Sequence, residues 1–591
     1  MTDYKAPLED IRFLINDVFQ LPELWQRLPT IAELIDADTA DAILEEAAKL
    51  MSDVIHPLNQ SGDAEGCRWE SGEVFSPHGF KEAYQAFIEG GWNGLVGDPQ
   101  YSGMGMPKTL VCHVEEMLHA ANMAFGLAPM LTAGACLAIK SHASNALKAK
   151  YLPRMYEGSW SGAMDLTEPH AGTDLGMIRT KAIANDDGSY CVTGTKIFIT
   201  WGEHDMVENI VHLVLAKLPD APEGSRGISM FLVPKFLVND DGSLGERNPV
   251  NCGAIEHKMG IHGSATCVMN YDGAKGWLVG EANKGLAAMF TMMNDERLAV
   301  GIQGLGVSEL AYQQASQYAK ERVQGRNPVG PEQPDKAADS LLVHGDVRRM
   351  LLTVRSLNEA ARAFLSYVAQ WLDIEKFTDD DTEKQRASAM VALLTPIAKA
   401  FITDRSFENT VLAQQVLGGH GYIREWGLEQ LVRDARITQI YEGTNGVQAM
   451  DLLGRKVVLA DGKLLTTFMD EIKQFIDMVS DDIASPYTDA LAKLMPKVKQ
   501  VTQTILLAVK NDPHLVGATA NNYLYLLGHL CYLFMWAKII AATASKEGDF
   551  YRVKRSLGQF YLEHLLPQTE YLIQVVNAGS KALVNLKNDD F

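Results

Sequence analysis

Cysteine is scarce. Seven residues (Cys67, Cys112, Cys136, Cys191, Cys252, Cys267 and Cys531) are scattered through 591, odd in number and without a C-x-x-C pair. That excludes a disulfide scaffold and fits reduced thiols in a cytosolic enzyme. Positive charge is in deficit as well: 53 Lys and Arg face 74 Asp and Glu, a net charge of −21. The cationic surface needed by a sequence-independent nucleic-acid binder is therefore missing. The opening MTDYKAPLEDIRFLINDVFQ has neither an apolar signal core nor an Arg-rich transit helix, so a cytoplasmic protein is expected. Two apolar stretches invite a membrane reading. Residues 124–139 are few and interrupted by Pro129, and residues 523–542 carry His529 and Lys538, so both read as buried bundle helices.

Several chemistries are absent too. No G-x-G-x-x-G follows a strand and opens a helix, so a nicotinamide site of that kind is unsupported. GEANKG at 280–285 has the outer glycine spacing of a phosphate loop but lacks the Lys-Ser/Thr that should follow, and reads as a turn. His257 and His262 have no third ligand nearby, and no metal site is expected. No G-x-S-x-G elbow appears.

What is present is an ordinary packed composition, 47% hydrophobic and 21% charged. At about 150 residues per domain the length suggests about four units. Residues 1–160 show mainly helical spacing. Residues 161–283 change to short alternating runs with turn signals, TKAIANDDGSYCVTGTKIFIT forming a hairpin around Asp187-Gly188. NIVHLVLAKL, GISMFLVPKF and ATCVMNYDG add strands, which predicts a small antiparallel β domain. Helical spacing returns over 284–460, with NPVGPEQP as a loop between two long helices. Residues 461–591 form a further helical segment with 13 basic and 14 acidic residues, so it is not a basic tail.

Three segments carry candidate chemistry: AMDLTEPHAGTD (163–174), KIFIT (196–200), which presents an aromatic and a hydroxyl on one face, and the pair QVLGGHG (415–421) with YEGTNG (441–446). Taken singly they read as turn, strand and helix cap. With GWNGLVGDP, NDERLAVG, KERVQGR and IYEGTNGVQAMDLLGRK in the same order, the chain to about residue 456 resembles the acyl-CoA dehydrogenase family. Its extended N-terminus and added helical segment resemble the longer branch, which includes 3-methylmercaptopropionyl-CoA dehydrogenases and bacterial fatty acyl-CoA dehydrogenases. The resemblance implies a mainly α fold with a central antiparallel β domain and an extra C-terminal helical domain. It also implies FAD, an acyl-CoA substrate, an electron-transfer flavoprotein as acceptor, and a homodimer. The implied pathway is fatty acid β-oxidation.

Forming an α,β double bond in a thioester requires loss of an α proton and a β hydride. The base must be close and desolvated, and the thioester oxygen needs hydrogen-bond donors as charge develops on it. By resemblance Glu442 is the base, its own N–H is one donor with a ribityl hydroxyl as the other, and flavin N5 takes the hydride. Glu296, on the long helix where some relatives place the base, is the competing carboxylate. The same resemblance assigns Leu166, Thr167, Phe198 and Thr200 to the flavin ring. Thr173 falls to flavin diphosphate and CoA, and Thr444 to the cofactor. Arg322, Gln415, Gly418 and Gly419 fall to the FAD of a neighbouring subunit. Arg297, Tyr441 and Gly443 fall to the substrate side, Gly443 leaving room for the thioester.

A core position competes for Phe198, and a surface ion pair for Arg297. The chain departs from many relatives at Trp201 and His420, where Asn is common, and in the shortened spacing from Arg322 to Gly325. His420 reads as a polar turn residue. Three alternatives stay open: an acyl-CoA oxidase passing electrons to oxygen, a DNA-binding flavoprotein of the same fold, which the balanced C-terminal charge disfavours, and a membrane-associated variant using residues 523–542. Chain length and methylthio-acyl preference are not separable from sequence, with fatty acyl preferred.

Overall fold

The structure, a computed structural model, describes residues 3–479 and 481–591, with Met293 described by its backbone alone. The chain forms two compact units. One, the β unit, holds Glu46–Pro107 and Met117–Glu296; the other, the helical unit, holds the chain up to Glu45 together with Lys108–Glu116 and Arg297–Phe591.

Helix α1 (Lys108–His142) ends in the β unit. Pro129 lies inside it without breaking it; the kink is at Asn122 (φ −161°, ψ 98°). The Asn122 Oδ1 accepts the Phe125 N–H at 3.1 Å, so the side chain caps the helix where the backbone ladder is interrupted. One sheet of seven strands follows: β1 (Trp160–Asp165), β2 (Lys181–Ala184), β3 (Tyr190–Thr200), β4 (Asn209–Lys217), β5 (Ile228–Pro234), β6 (Val250–Ile255) and β7 (Thr266–Val279), with a separate small hairpin of Phe236–Val238 and Leu244–Arg247 between β5 and β6. The expected hairpin is β2–β3, antiparallel from Lys181↔Thr193 to Ala184↔Tyr190. Asn185 N–H bonds the Ser189 carbonyl across its turn at 2.8 Å. Pairing runs β7–β3–β2–β4–β5 and returns from β5 to β7, so five strands close on themselves, with β6 beside β7 and β1 beside β4. Most pairs are antiparallel, but β1 lies parallel to β4 and β2 meets β4 parallel at Lys181↔Lys217. Strands β4 and β5 are buried almost without alternation, as expected of strands covered on both faces.

Helix α2 (Gly285–Glu321) begins in the β unit and, from Arg297, belongs to the helical one. There follow α3 (Gly345–Phe377), α4 (Asp381–Leu417), α5 (Leu428–Ile437), α6 (Asn445–Met450), α7 (Lys463–Met478), α8 (Ser485–Ala508), α9 (Leu515–Ala542), α10 (Asp549–Phe560) and α11 (Gln568–Asn577). Residues 327–334 are irregular, as NPVGPEQP predicts. Helix α9 is apolar on nearly all sides and is buried accordingly. Gly528 lets it approach α4: a Cβ there would sit 2.3 Å from the Phe401 ring. Arg362 of α3 binds Glu116 through both Nε and Nη2 at 2.6–3.0 Å and Glu309 at 3.0 Å, both arginine and Glu116 being 2% exposed. Among the described residues three helices could cross a membrane by length and composition (α1, the run Asp381–Tyr422, and α9), but 83% of the apolar window in each is buried. At the start of the chain, Asp10 pairs with Lys554 and Asp17 with Lys546, while the Phe13 ring meets Phe550 edge-on at 5.4 Å.

Candidate active site

In the β unit, the loop after β1 carries Leu166, Thr167 and Thr173, and β3 carries Phe198 and Thr200. Ile197 N–H bonds the Thr167 carbonyl at 2.9 Å, which brings loop and strand together. Between the pairs Lys196↔Met269 and Ile199↔Cys267, two residues of β3 oppose one of β7. This is a bulge, and Phe198 sits in it at φ +60°. Bulges re-aim side chains; here the ring turns outward and is 59% exposed, so the core reading of Phe198 does not hold. Leu166, Thr167 and Thr200 are half-buried and Thr173 is exposed. Trp201 (φ +51°) instead packs inward, 1% exposed, with Nε1 donating to the Ala124 carbonyl at 3.2 Å.

Beneath this loop is an ion pair that the sequence reading did not single out. Lys196 Nζ donates to Glu168 Oε1 at 2.8 Å and to the Leu166 carbonyl at 2.9 Å. Glu168 also accepts from Arg179 N, Thr180 N and Thr180 Oγ1 at 2.6–3.0 Å. Burial by itself would raise the Glu168 carboxyl, but Lys196 and these donors hold it below its usual range. Its only sequence signal was a lysine at an inward position of an otherwise alternating strand. Glu296 is also buried, and a Cβ on Gly134 would lie 2.0 Å from its Oε1; glycine on α1 is what lets this carboxylate fit.

In the helical unit, residues 441–444 form the turn between α5 and α6. Glu442 (φ +53°) and Gly443 (φ +80°) are both left-handed, a costly conformation for glutamate that recurs at functional sites. Gln448 Nε2 supports the turn by donating to the Glu442 and Gly443 carbonyls, each at 3.2 Å. A Cβ on Gly443 would come within 2.7 Å of that same Nε2, so glycine is required here by the backbone and by Gln448. Thr444 caps α6, its Oγ1 accepting from Val447 N at 3.3 Å, and Tyr441 Oη bonds Gln303 Oε1. Burial raises the Glu442 carboxyl above its ordinary value, with the Lys399 ammonium acting in the opposite sense. Burial in turn pulls Lys399 down to about 7, against Asp404 and Glu442. Lys399 Nζ donates to Asn445 Oδ1 at 2.7 Å. Lys399 and Asp404 were also missed; a lone lysine inside the apolar run LLTPIAKAFI was the available signal. Arg297 is not on the surface: it pairs with Asp451 at 2.8 Å, both residues 7% exposed, and its Nε is left without a partner.

The ends of α2 and α4 meet through Tyr318, whose Oη lies 2.9 Å from His420 Nδ1, with His420 stacked on Trp426 at 4.5 Å. Arg322, one turn beyond Tyr318, is exposed, as are Gln415, Gly418 and Gly419. Open space lies where a Cβ would project from either glycine, and Gly418 has φ +57°. The two halves thus offer distinct chemistry: an outward aromatic flanked by threonine hydroxyls in one unit, a proton-binding carboxyl beside an ammonium in the other. Among the described residues no cluster suited to a metal ion occurs.

Four family models match in succession: the acyl-CoA dehydrogenase N-terminal domain (residues 37–159), middle domain (163–274) and C-terminal domain (283–457), and the acetyl-CoA dehydrogenase C-terminal-like domain (468–587). A 3-methylmercaptopropionyl-CoA dehydrogenase of Ruegeria pomeroyi is 42% identical over 95% of this chain and 96% of its own. A broad-specificity linear acyl-CoA dehydrogenase, FadE5, of Mycobacterium tuberculosis is 32% identical over 94% and 95%. A solved acyl-CoA dehydrogenase from Bacillus anthracis, complexed with FAD, shares the fold with a TM-score of 0.73 at 20% identity, covering 94% of this chain and 90% of that one.

Proposed function

This chain belongs to the acyl-CoA dehydrogenase family, and from that premise we propose that it converts a saturated acyl-CoA to the trans-2-enoyl-CoA, with Glu442 as the base. The observation that carries the proposal is the state of Glu442: a carboxyl held on a left-handed turn, its proton affinity raised by burial, with one ammonium acting on it. A base so tuned accepts a weakly acidic α proton better than a solvated carboxylate.

In this mechanism Gln448 fixes the two carbonyls of the turn, and the Glu442 N–H donates to the thioester oxygen as the α proton departs. Lys399 favours the carboxylate before substrate arrives. Leu166 and the outward Phe198 provide an apolar face, and Thr167, Thr200 and Thr173 provide hydroxyls; this donor set suits a planar heteroaromatic ring with a polar edge and a diphosphate tail. FAD bound there supplies the two-electron acceptor for the β carbon.

Exposed Arg322, Gln415 and the unobstructed backbone at Gly418 and Gly419 support a homodimer in which they reach a neighbour's cofactor diphosphate. An electron-transfer flavoprotein is the proposed acceptor and the cytoplasm the proposed location, which seven free thiols fit. Two substrate readings stand. The FadE5 relative supports linear fatty acyl chains and hence β-oxidation, whereas the 42% relative supports 3-methylmercaptopropionyl-CoA.

The test is an anaerobic visible spectrum of the purified protein before and after addition of saturated acyl-CoAs of graded length and of 3-methylmercaptopropionyl-CoA. Bleaching of a yellow protein by one length range is the expected result. Bleaching by the methylthio compound alone would select the second reading. A colourless protein that cannot be reconstituted with FAD would remove the proposal, and peroxide formation in air would replace the acceptor with oxygen.

A further inference from the structure

The turn that carries Glu442 is tied at both ends to one carboxylate. Gln439, three residues before Glu442, donates through Nε2 to Asp404 Oδ1 at 2.6 Å. Asn445, three residues after it, donates through Nδ2 to the same oxygen at 2.7 Å. The other oxygen, Oδ2, accepts from Tyr525 Oη at 2.6 Å. Tyr525 belongs to α9, in the helical segment added after residue 460.

We propose that Tyr525 is a positioning residue for the Glu442 turn, acting through Asp404 to set Asn445 and, through Asn445, Lys399. This rests on the reading of Glu442 as the base. The logic lies in the amide of Asn445. Its Nδ2 is committed to Asp404 and to Thr403 Oγ1 at 2.9 Å, so its Oδ1 must point the other way, to Lys399 Nζ. A reversed amide would set two donors against the ammonium and leave Asp404 short of one. Asp404 therefore selects the orientation that holds Lys399, and Tyr525 holds Asp404. A carboxylate satisfied by three donors is a stiff anchor, since hydrogen bonds to ionised groups are about twice as strong as neutral ones.

The charged groups facing this chain of contacts are few. Lys399 meets Asp404 on its own helix, Glu442 in the turn and Arg297 on α2. Near Asp404 are Glu408 and Arg405, whose guanidinium lies 5.2 Å from the Tyr525 ring centre. Because that ring also packs on Phe401 at 6.0 Å, Tyr525→Phe keeps the aromatic contacts and removes the hydroxyl alone.

The experiment uses the full chain loaded with FAD. Amide hydrogen exchange is followed over residues 438–448, and kcat and KM for acyl-CoA-dependent dye reduction are measured across pH. In Tyr525→Phe, exchange over 438–448 should quicken by about tenfold and kcat fall by about tenfold. KM and exchange in the β unit should stay as in the parent, and the acid limb should move to higher pH. Lys399→Gln should move the limb further in the same direction, and Lys399→Arg should bring it back. A Tyr525→Phe protein with parental exchange and a parental limb overturns the proposal. So does quickened exchange with an unmoved limb, since the hydroxyl would then serve the fold alone. If Glu442→Gln leaves turnover intact, the base reading fails separately, and the exchange arm still decides whether Tyr525 holds the turn.

Discussion

Lys196 and Glu168 meet at 2.8 Å with neither side chain more than 3% exposed, and the same ammonium bonds the Leu166 carbonyl. The contact joins strand β3 to the loop bearing Leu166, Thr167 and Thr173. Lys196→Met leaves a buried carboxylate without its counter-charge. A loss of about 3–5 kcal/mol is expected, read from the denaturant midpoint, together with faster FAD loss on gel filtration. Unchanged FAD retention would show that the loop is held by other means.

The two candidate bases separate by substitution. Glu442→Gln should lower turnover by about 10²–10⁴-fold, the usual worth of a positioned base, with substrate binding retained. Glu296→Gln should leave far more activity. Gly134→Ala would force the Glu296 carboxylate aside, because the new Cβ meets it at 2.0 Å, and so should behave like Glu296→Gln in stopped-flow bleaching. The reverse ranking would transfer the base role to α2.

The pH profile has a definite sign. As the proposed base Glu442 must be a carboxylate to take the α proton, and burial raises its proton affinity from the usual 4.5. Activity should therefore fall on the acid side at a pH above 4.5, sooner than an exposed glutamate would dictate. Stability follows the same linkage: the folded state binds this proton more readily than the unfolded chain, so the burial cost is fully felt above the raised pKa and relieved as pH falls through it. Lys399, lowered to about 7, carries its charge below that value; at higher pH its help to the carboxylate fades. Initial rates from pH 5 to 9 in parent and Lys399→Gln would check this.

Gly528→Ala tests the packing of α9 on α4. The added methyl would overlap the Phe401 ring at 2.3 Å, and neither helix can retreat without disturbing neighbours. A destabilisation of about 1–3 kcal/mol is expected; Phe401→Leu in the same chain should recover part of it.

The sequence was most informative where a signal is local. Asp187-Gly188 between alternating runs marked the β2–β3 hairpin, NPVGPEQP marked an irregular segment, and the spacing of apolar residues from Leu286 marked α2. Pairing partners were less accessible: nothing in the pattern of β1 reveals that it lies parallel to β4, because that choice is made by a strand more than 40 residues away. Pro129 drew attention as a break, yet the kink falls at Asn122, whose side chain can replace the missing backbone bond. At the candidate site, YEGT singled out Glu442, while the polar groups around its turn were hidden. Lys399 is a single charge in an apolar run, Asp404 one acid among many, and Tyr525 lies 83 residues beyond the base it is proposed to serve. The outward turn of Phe198 depends on a bulge, which needs a partner strand to define it.

The contacts of Asp10 and Asp17 with Lys554 and Lys546 span 544 and 529 residues of chain. On a ribosome adding 5–20 residues per second, the opening segment would wait roughly half a minute to two minutes for its partners. Throughout that interval Phe13 and its apolar neighbours lack the rings of Phe550 and Tyr551. Residues 10–17 are thus made long before the side chains they pack against, and their apolar surface stays open to other contacts until residues 546–554 emerge.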